Sequence, residues 1–198
     1  MTTTDRGITP SQTAGPYFAF ALTPGTQYAY PALVANDLTT PDAVGDTIVI
    51  TGRLLDGKGQ PVPDGFLELW QADGAGRYSS GEHRQNTSFK GFGRSGTDTT
   101  GAFSFRTVKP GAVEAPGGGK QAPHINVSVF ARGILRRMIT RIYFADEKAN
   151  AGDPVLALVP ADRRDTLIAR RDGDVGGVPR YVLDVRLQGE NETVFFEA

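Results

Sequence analysis

Residues 121–130 read "QAPHINVSVF". Ile125, Val127 and Val129 alternate with His124, Asn126 and Ser128. A period of two is the signature of a half-buried strand, since a helix would need apolar residues three and four apart. The three aliphatic residues are therefore expected to face a core. His124, Asn126 and Ser128 share the opposite, polar face, which sets an imidazole beside a carboxamide.

Working outward, the same pattern recurs in both directions. "DTIVITGRLLD" (46–56), "FLELWQAD" (66–73) and "GAFSFRTV" (101–108) read as strands upstream, separated by turn clusters such as "DGKGQPVPDG" (56–65) and "KPGAVEAPGGGKQAP" (109–123). Downstream, "ILRRMITRIYFA" (134–145) follows a turn at "ARGI", and "RYVLDVRLQG" (180–189) gives a last strand. The one helical stretch expected is "DPVLALVPADRRDTLIARR" (153–171). Asp153 caps it, Pro154 takes the first helical position, and Pro160 divides it into two short pieces. Residues 1–45 lack periodicity but carry many aromatics, as in "ALTPGTQYAYPALV" (21–34), and read as an extended arm that packs on another surface. The fold class is all-β: an antiparallel-rich β-sandwich over 46–198 with an extended N-terminal arm (1–45), long loops and one or two short helices, in a single domain.

Composition narrows the function classes. The chain has 198 residues, 21 Lys plus Arg and 22 Asp plus Glu, so near-neutral charge gives no basis for nucleic-acid or anionic-membrane binding. It has no cysteine, which excludes disulfides, thiolate metal sites and cysteine nucleophiles. No apolar run approaches the roughly 20 residues of a membrane helix. The N-terminal "MTTTDRGITPSQTAG" has neither the charged nor the apolar region of a secretory signal, so a cytoplasmic location is expected. The 25 glycines and 13 prolines sit between short apolar runs, as an all-β chain with many connections requires.

The chain holds two histidines, His83 and His124, and no G-x-S-x-G. Neither histidine sits in a nucleophile–base–carboxylate motif. His83, in "SSGEHRQNTS", reads as a solvated loop residue. Arg132, Arg136, Arg137 and Arg141 look like an anion site, but alternating arginines on a solvated or interface strand are commoner.

Motif order carries more information. "LELWQAD" with "GRY" (67–78), then "GRSGTDTTGAFSFRTVKPG" (93–111), then "APHIN" (122–126) resembles the intradiol ring-cleaving dioxygenases over essentially the whole chain. That resemblance implies a non-haem Fe(III) held by two tyrosinates and two histidines, a hard donor set that suits ferric iron. The iron activates a catechol, and O2 opens the ring between its two hydroxylated carbons. In register with the family's motifs, the ligand positions fall on Tyr78, Val113, His124 and Asn126. Tyrosine and histidine stand at the first and third. Valine has no donor atom, and asparagine offers only a neutral amide oxygen.

Two of the four positions are thus lost. The resemblance then implies a non-catalytic α chain of the family's two-chain branch, which opens 3,4-dihydroxybenzoate to 3-carboxy-cis,cis-muconate. No catalytic residue and no metal is expected in this chain. Fe(III) is expected in a partner β chain, in an αβ hetero-oligomer of several copies. The α chain would wall the shared substrate pocket with Thr13, Gly15, Pro16 and Tyr17 of "TAGPY" and with Arg132, whose guanidinium suits a ring carboxylate. Two alternatives stand beside this reading. One is a transthyretin-like binding or structural module with no dioxygenase partner. The other is a self-contained enzyme with an altered metal site that includes Tyr78 and His124.

Overall fold

The computed structural model describes residues 15, 21–24, 31–79 and 89–197. Eleven strands follow in order: β1 (Thr47–Leu55), β2 (Phe66–Gln71), β3 (Phe92–Gly96), β4 (Ala102–Val108), β5 (Val113–Glu114), β6 (Lys120–Gln121), β7 (His124–Phe130), β8 (Met138–Phe144), β9 (Ile168–Val175), β10 (Val178–Val182) and β11 (Val185–Arg186).

Nine of them hydrogen-bond in one continuous path, β11-β1-β10-β9-β8-β7-β2-β3, with β4 on the other edge of β1. Strand β9 joins its two halves. Its first residues, Ile168 and Ala169, pair parallel with Tyr143 and Phe144 of β8, and its remainder pairs antiparallel with β10. The path therefore folds over into two layers. Ile48, Ile50, Phe103, Phe105 and Tyr181 of one layer and Leu67, Leu69, Ile125, Val127 and Ile142 of the other are buried in one apolar cluster. The all-β sandwich is as expected, with a refinement. Most pairings are antiparallel, but β1 with β10, β1 with β11, and β8 with β9 are parallel.

In β7, Ile125, Val127 and Val129 are all 1% exposed or less, facing the core as the alternation requires. The register of β7 on β8 sets His124 opposite Tyr143 and Asn126 opposite Arg141.

Two sequence expectations are corrected, and one strand forms that no expectation covered. The 153–171 stretch forms no α-helix. It makes 3-10 turns at Leu156–Leu158 and Ala161–Leu167, and a further 3-10 turn precedes it at Lys148–Gly152. Pro160 lacks the N–H that would continue the helix, and from Ile168 onward the chain is drawn into β9 by its pairing with β8. Asp153 does act as a cap, accepting the N–H groups of Val155 and Leu156 at 2.9 and 2.7 Å. Next, 180–189 is not one strand. It breaks at Leu183–Asp184, where Asp184 accepts the Arg53 N–H at 2.9 Å and pairs with its guanidinium at 2.7 Å. Last, "FGRSG" forms strand β3, which the alternation pattern did not mark. A Cβ on Gly93 would lie 2.4 Å from the side chain of Leu38, so glycine there lets residues 35–38 lie close against β3. Those residues stitch β3 to β4: Ala35 O accepts from Arg94 N, and Asn36 O from Arg106 N. The end of the 1–45 arm thus docks on the chain's own sandwich.

Two truncations separate core from surface. Ile125→Ala, at a fully buried position, should cost roughly 2–5 kcal/mol in urea denaturation. Leu158→Ala, at a residue 82% exposed, should stay within about 0.5 kcal/mol. Equal costs would mean the layers do not pack as described.

Candidate functional site

Tyr78 and Asn126 meet directly, His124 lies two residues from Asn126 on β7, and Val113 enters through β5 as the ladder partner of Gln121. The Asp73 carboxylate closes the 73–77 turn by accepting the N–H groups of Ala75 and Arg77, each at 2.9 Å, and pairs with the Arg77 guanidinium at 2.8 Å. Gly76 has φ +77°, and a Cβ there would sit 2.1 Å from the Ala112 carbonyl. Only glycine lets this turn press on the segment leading into Val113. Gly111 N donates to Asp73 O at 2.9 Å across the same contact.

Tyr78 leaves the turn and stacks on Trp70, with centroids 5.8 Å apart. Its hydroxyl is 3.5 Å from Asn126 Nδ2, which donates to it. Val113 is buried in the short β5–β6 ladder, paired with Gln121. His124 is 3% exposed. Its Nδ1 lies 2.8 Å from the Ala122 carbonyl. A carbonyl only accepts, so Nδ1 carries the proton and Nε2 keeps the lone pair, the arrangement of a histidine oriented to bind through Nε2.

The group that links these positions is Arg141. It stands cross-strand from Asn126. Its guanidinium donates to Gln121 Oε1 at 2.7 Å and to the Tyr143 hydroxyl at 3.3 Å. Tyr143 in turn donates to Asp153 Oδ1 at 3.0 Å, and its ring packs on His124. Asp153 Oδ2 accepts Ala122 N at 2.8 Å. Among the described residues Arg141 forms no ion pair with a carboxylate.

Electrostatics follow from that placement. Burial pushes the Tyr78 phenol up, partly offset by the Asn126 hydrogen bond and the Arg141 charge. Burial, reinforced by Arg141, lowers the basicity of His124 against the opposing pull of the Ala122 hydrogen bond and Asp153. Burial holds Tyr143 at about 12 although Arg141 favours its anion. At neutral pH the cluster is a neutral phenol, a neutral imidazole, an amide and a fixed guanidinium.

This donor set does not fit ferric iron. Val113 has no donor, Asn126 turns its NH2 toward Tyr78, and the cation already present belongs to the protein. Among the described residues no group of three His, Cys, Asp or Glu side chains is placed to hold a metal.

Arg132 is 64% exposed at its side chain and pairs with Asp64 of this chain. Gly15 is described, whereas Thr13, Pro16, Tyr17 and His83 lie outside the described residues. The four arginines are not one patch, because Arg141 points into the site while Arg136 and Arg137 sit on the exposed 131–137 loop. A cleft of about 970 Å³ opens between residues 32–36 and strands β1, β3 and β4, bordered by Arg53, Arg94 and Asp184, and none of the four positions lines it.

Gln121, Arg141, Tyr143 and Asp153 were missed as site residues. Only the β7–β8 register brings Arg141 opposite Asn126. The seven residues between these strands left that register unfixed in the sequence.

Asp153 offers a direct check on this network. Asp153→Ala would orphan the N–H groups of Ala122, Val155 and Leu156, and each buried unpaired donor costs about 1–3 kcal/mol. A loss of roughly 3 kcal/mol or more in chemical denaturation is expected, and a loss below about 1 kcal/mol would contradict the network.

Comparison with known proteins matches residues 14–189 to the family described as Dioxygenase. The chain is 49% identical to the protocatechuate 3,4-dioxygenase alpha chain of Burkholderia cepacia over 96% of both chains. It is 35% identical to the beta chain from the same organism, over 81% of this chain and 72% of that one. Its fold is similar to 3-chlorocatechol 1,2-dioxygenase from Rhodococcus opacus 1CP, with a TM-score of 0.64 at 22% identity, covering 80% of this chain and 68% of that chain.

Proposed function

The chain belongs to the intradiol dioxygenase family, which uses iron, and we propose that it serves as the α chain of a protocatechuate 3,4-dioxygenase. In this reading a β chain holds the Fe(III). When bound there, the iron makes the ring of 3,4-dihydroxybenzoate reactive toward O2, and the product is 3-carboxy-cis,cis-muconate. This chain contributes assembly surface and part of the pocket wall in an αβ hetero-oligomer of several copies, and binds no iron itself. A cytoplasmic location goes with this reading.

The observation that carries the proposal is the buried valine at position 113. No rotamer of Val113 offers a metal an electron pair, so the chain lacks a ligand at that position. Relatives named as α and β chains of one enzyme both match this sequence, which supports a division of labour between two related chains.

The pocket-wall role falls on Thr13, Gly15, Pro16, Tyr17 and Arg132. Arg132 pairs with Asp64 in the isolated chain. The arginine side of that pair is solvent-exposed, whereas the Asp64 side chain is only 23% exposed, so a substrate carboxylate that takes over the guanidinium must outweigh the cost of leaving Asp64 unpaired. The single-domain layout, with residues 1–45 reaching the partner, belongs to the same proposal.

Two experiments test it. The chain purified alone should lack stoichiometric iron and the visible tyrosinate-to-iron(III) absorption. Co-expression with the β chain should give an iron-loaded complex that consumes O2 with 3,4-dihydroxybenzoate. Iron and ring cleavage in the chain alone would overturn the assignment. In the complex, Tyr17→Ala or Arg132→Ala should raise KM roughly tenfold, the scale of one lost charge-assisted contact, with iron content unchanged. Unchanged kinetics in both variants would remove the pocket-wall role.

A further inference from the structure

The two missing ligands do not account for the whole of this site. The structure also supplies a positive charge where the ligand positions converge, and we propose that the Arg141 guanidinium itself bars metal from this site, so that restoring the ligands alone would not restore binding.

Asn126 faces this side chain directly, and each of the other three positions is one residue further removed. Asn126 stands directly opposite it across the β7–β8 ladder, where facing side chains are in contact range. Tyr78 touches Asn126. Gln121, which accepts from the guanidinium, is the ladder partner of Val113. Tyr143, which also accepts from it, packs on the His124 ring.

The guanidinium is held, not loosely placed. Its two acceptors are themselves anchored, Gln121 by the β5–β6 ladder and Tyr143 through its hydrogen bond to Asp153. Arginine cannot lose its proton in a protein, so the charge persists at any working pH. Among the described residues no carboxylate pairs with it directly, and Asp153 reaches it only through the Tyr143 hydroxyl. A ferric ion brought within a few ångströms would meet strong repulsion in a half-buried setting, where water screens it poorly.

The inference rests on the assignment of Tyr78, Val113, His124 and Asn126 to ligand positions, and goes beyond the α-chain reading by naming a residue that acts against metal. The full-length chain is made as Val113→Tyr/Asn126→His in three backgrounds: Arg141 retained, Arg141→Lys and Arg141→Gln. Ferric iron is titrated into each, read by iron content and by the visible tyrosinate-to-iron(III) band. Circular dichroism checks the fold, and Arg141→Met replaces Arg141→Gln if that variant does not fold. The neutral variant should bind iron stoichiometrically and at least about tenfold more tightly than the two charged ones. Equal behaviour of the charged and neutral forms, including binding by none, would overturn the role of Arg141. Binding by all three would do so while leaving the α-chain reading intact, whereas that reading fails only if the natural chain takes up iron.

Discussion

The antiparallel register of β7 against β8 sets two things at once. On one face it turns Ile125, Val127 and Ile142 into the interior, where each is 1% exposed or less. On the other it aligns His124 with Tyr143 and Asn126 with Arg141. A slip of one residue would exchange the faces, burying the arginine and exposing the aliphatic side chains, so the core fixes the site's geometry as firmly as the site's own contacts do. Asp153 locks the end of this arrangement. Its carboxylate takes one bond from the segment entering β7, one from Tyr143 in β8 and two from the 3-10 turn beyond.

On the proposed reading, what survives at the site is its frame. Trp70 still backs Tyr78, Gly76 still lets its turn press on residue 112, and His124 still donates Nδ1–H to a carbonyl so that Nε2 is left with a lone pair. What has changed is the set of groups that would meet a metal. In that set are an apolar side chain, an amide turned donor-first toward Tyr78 and a guanidinium bonded to Gln121 and Tyr143. On the proposed reading, a chain freed from holding iron can devote itself to shaping a neighbour's pocket and to assembly.

Much of this was legible in the sequence where period two is unambiguous. "HINVSVF" and "TIVITGRLL" gave their strands and buried residues directly, because alternation reports burial without reference to the rest of the fold. The expected helix over 153–171 failed because Pro160 and the pull of β8 on Ile168 outweigh local propensity. Strand β3 was invisible because Gly93 serves the close approach of Leu38, a contact between distant segments. Of the site, motif order singles out residues 113 and 126, which the proposed reading takes as replaced ligands. Arg141 could not be placed, since a loop of seven residues between β7 and β8 leaves the pairing open until the strands are seen.

The central claim is that the chemistry resides in a partner and not in this chain. The most direct measurement is the position of iron in the co-expressed complex, located by anomalous scattering at the iron absorption edge. One iron for each αβ pair, in the β chain, with no peak among Tyr78, Val113, His124 and Asn126, is the predicted result. An iron peak at those four residues would contradict it.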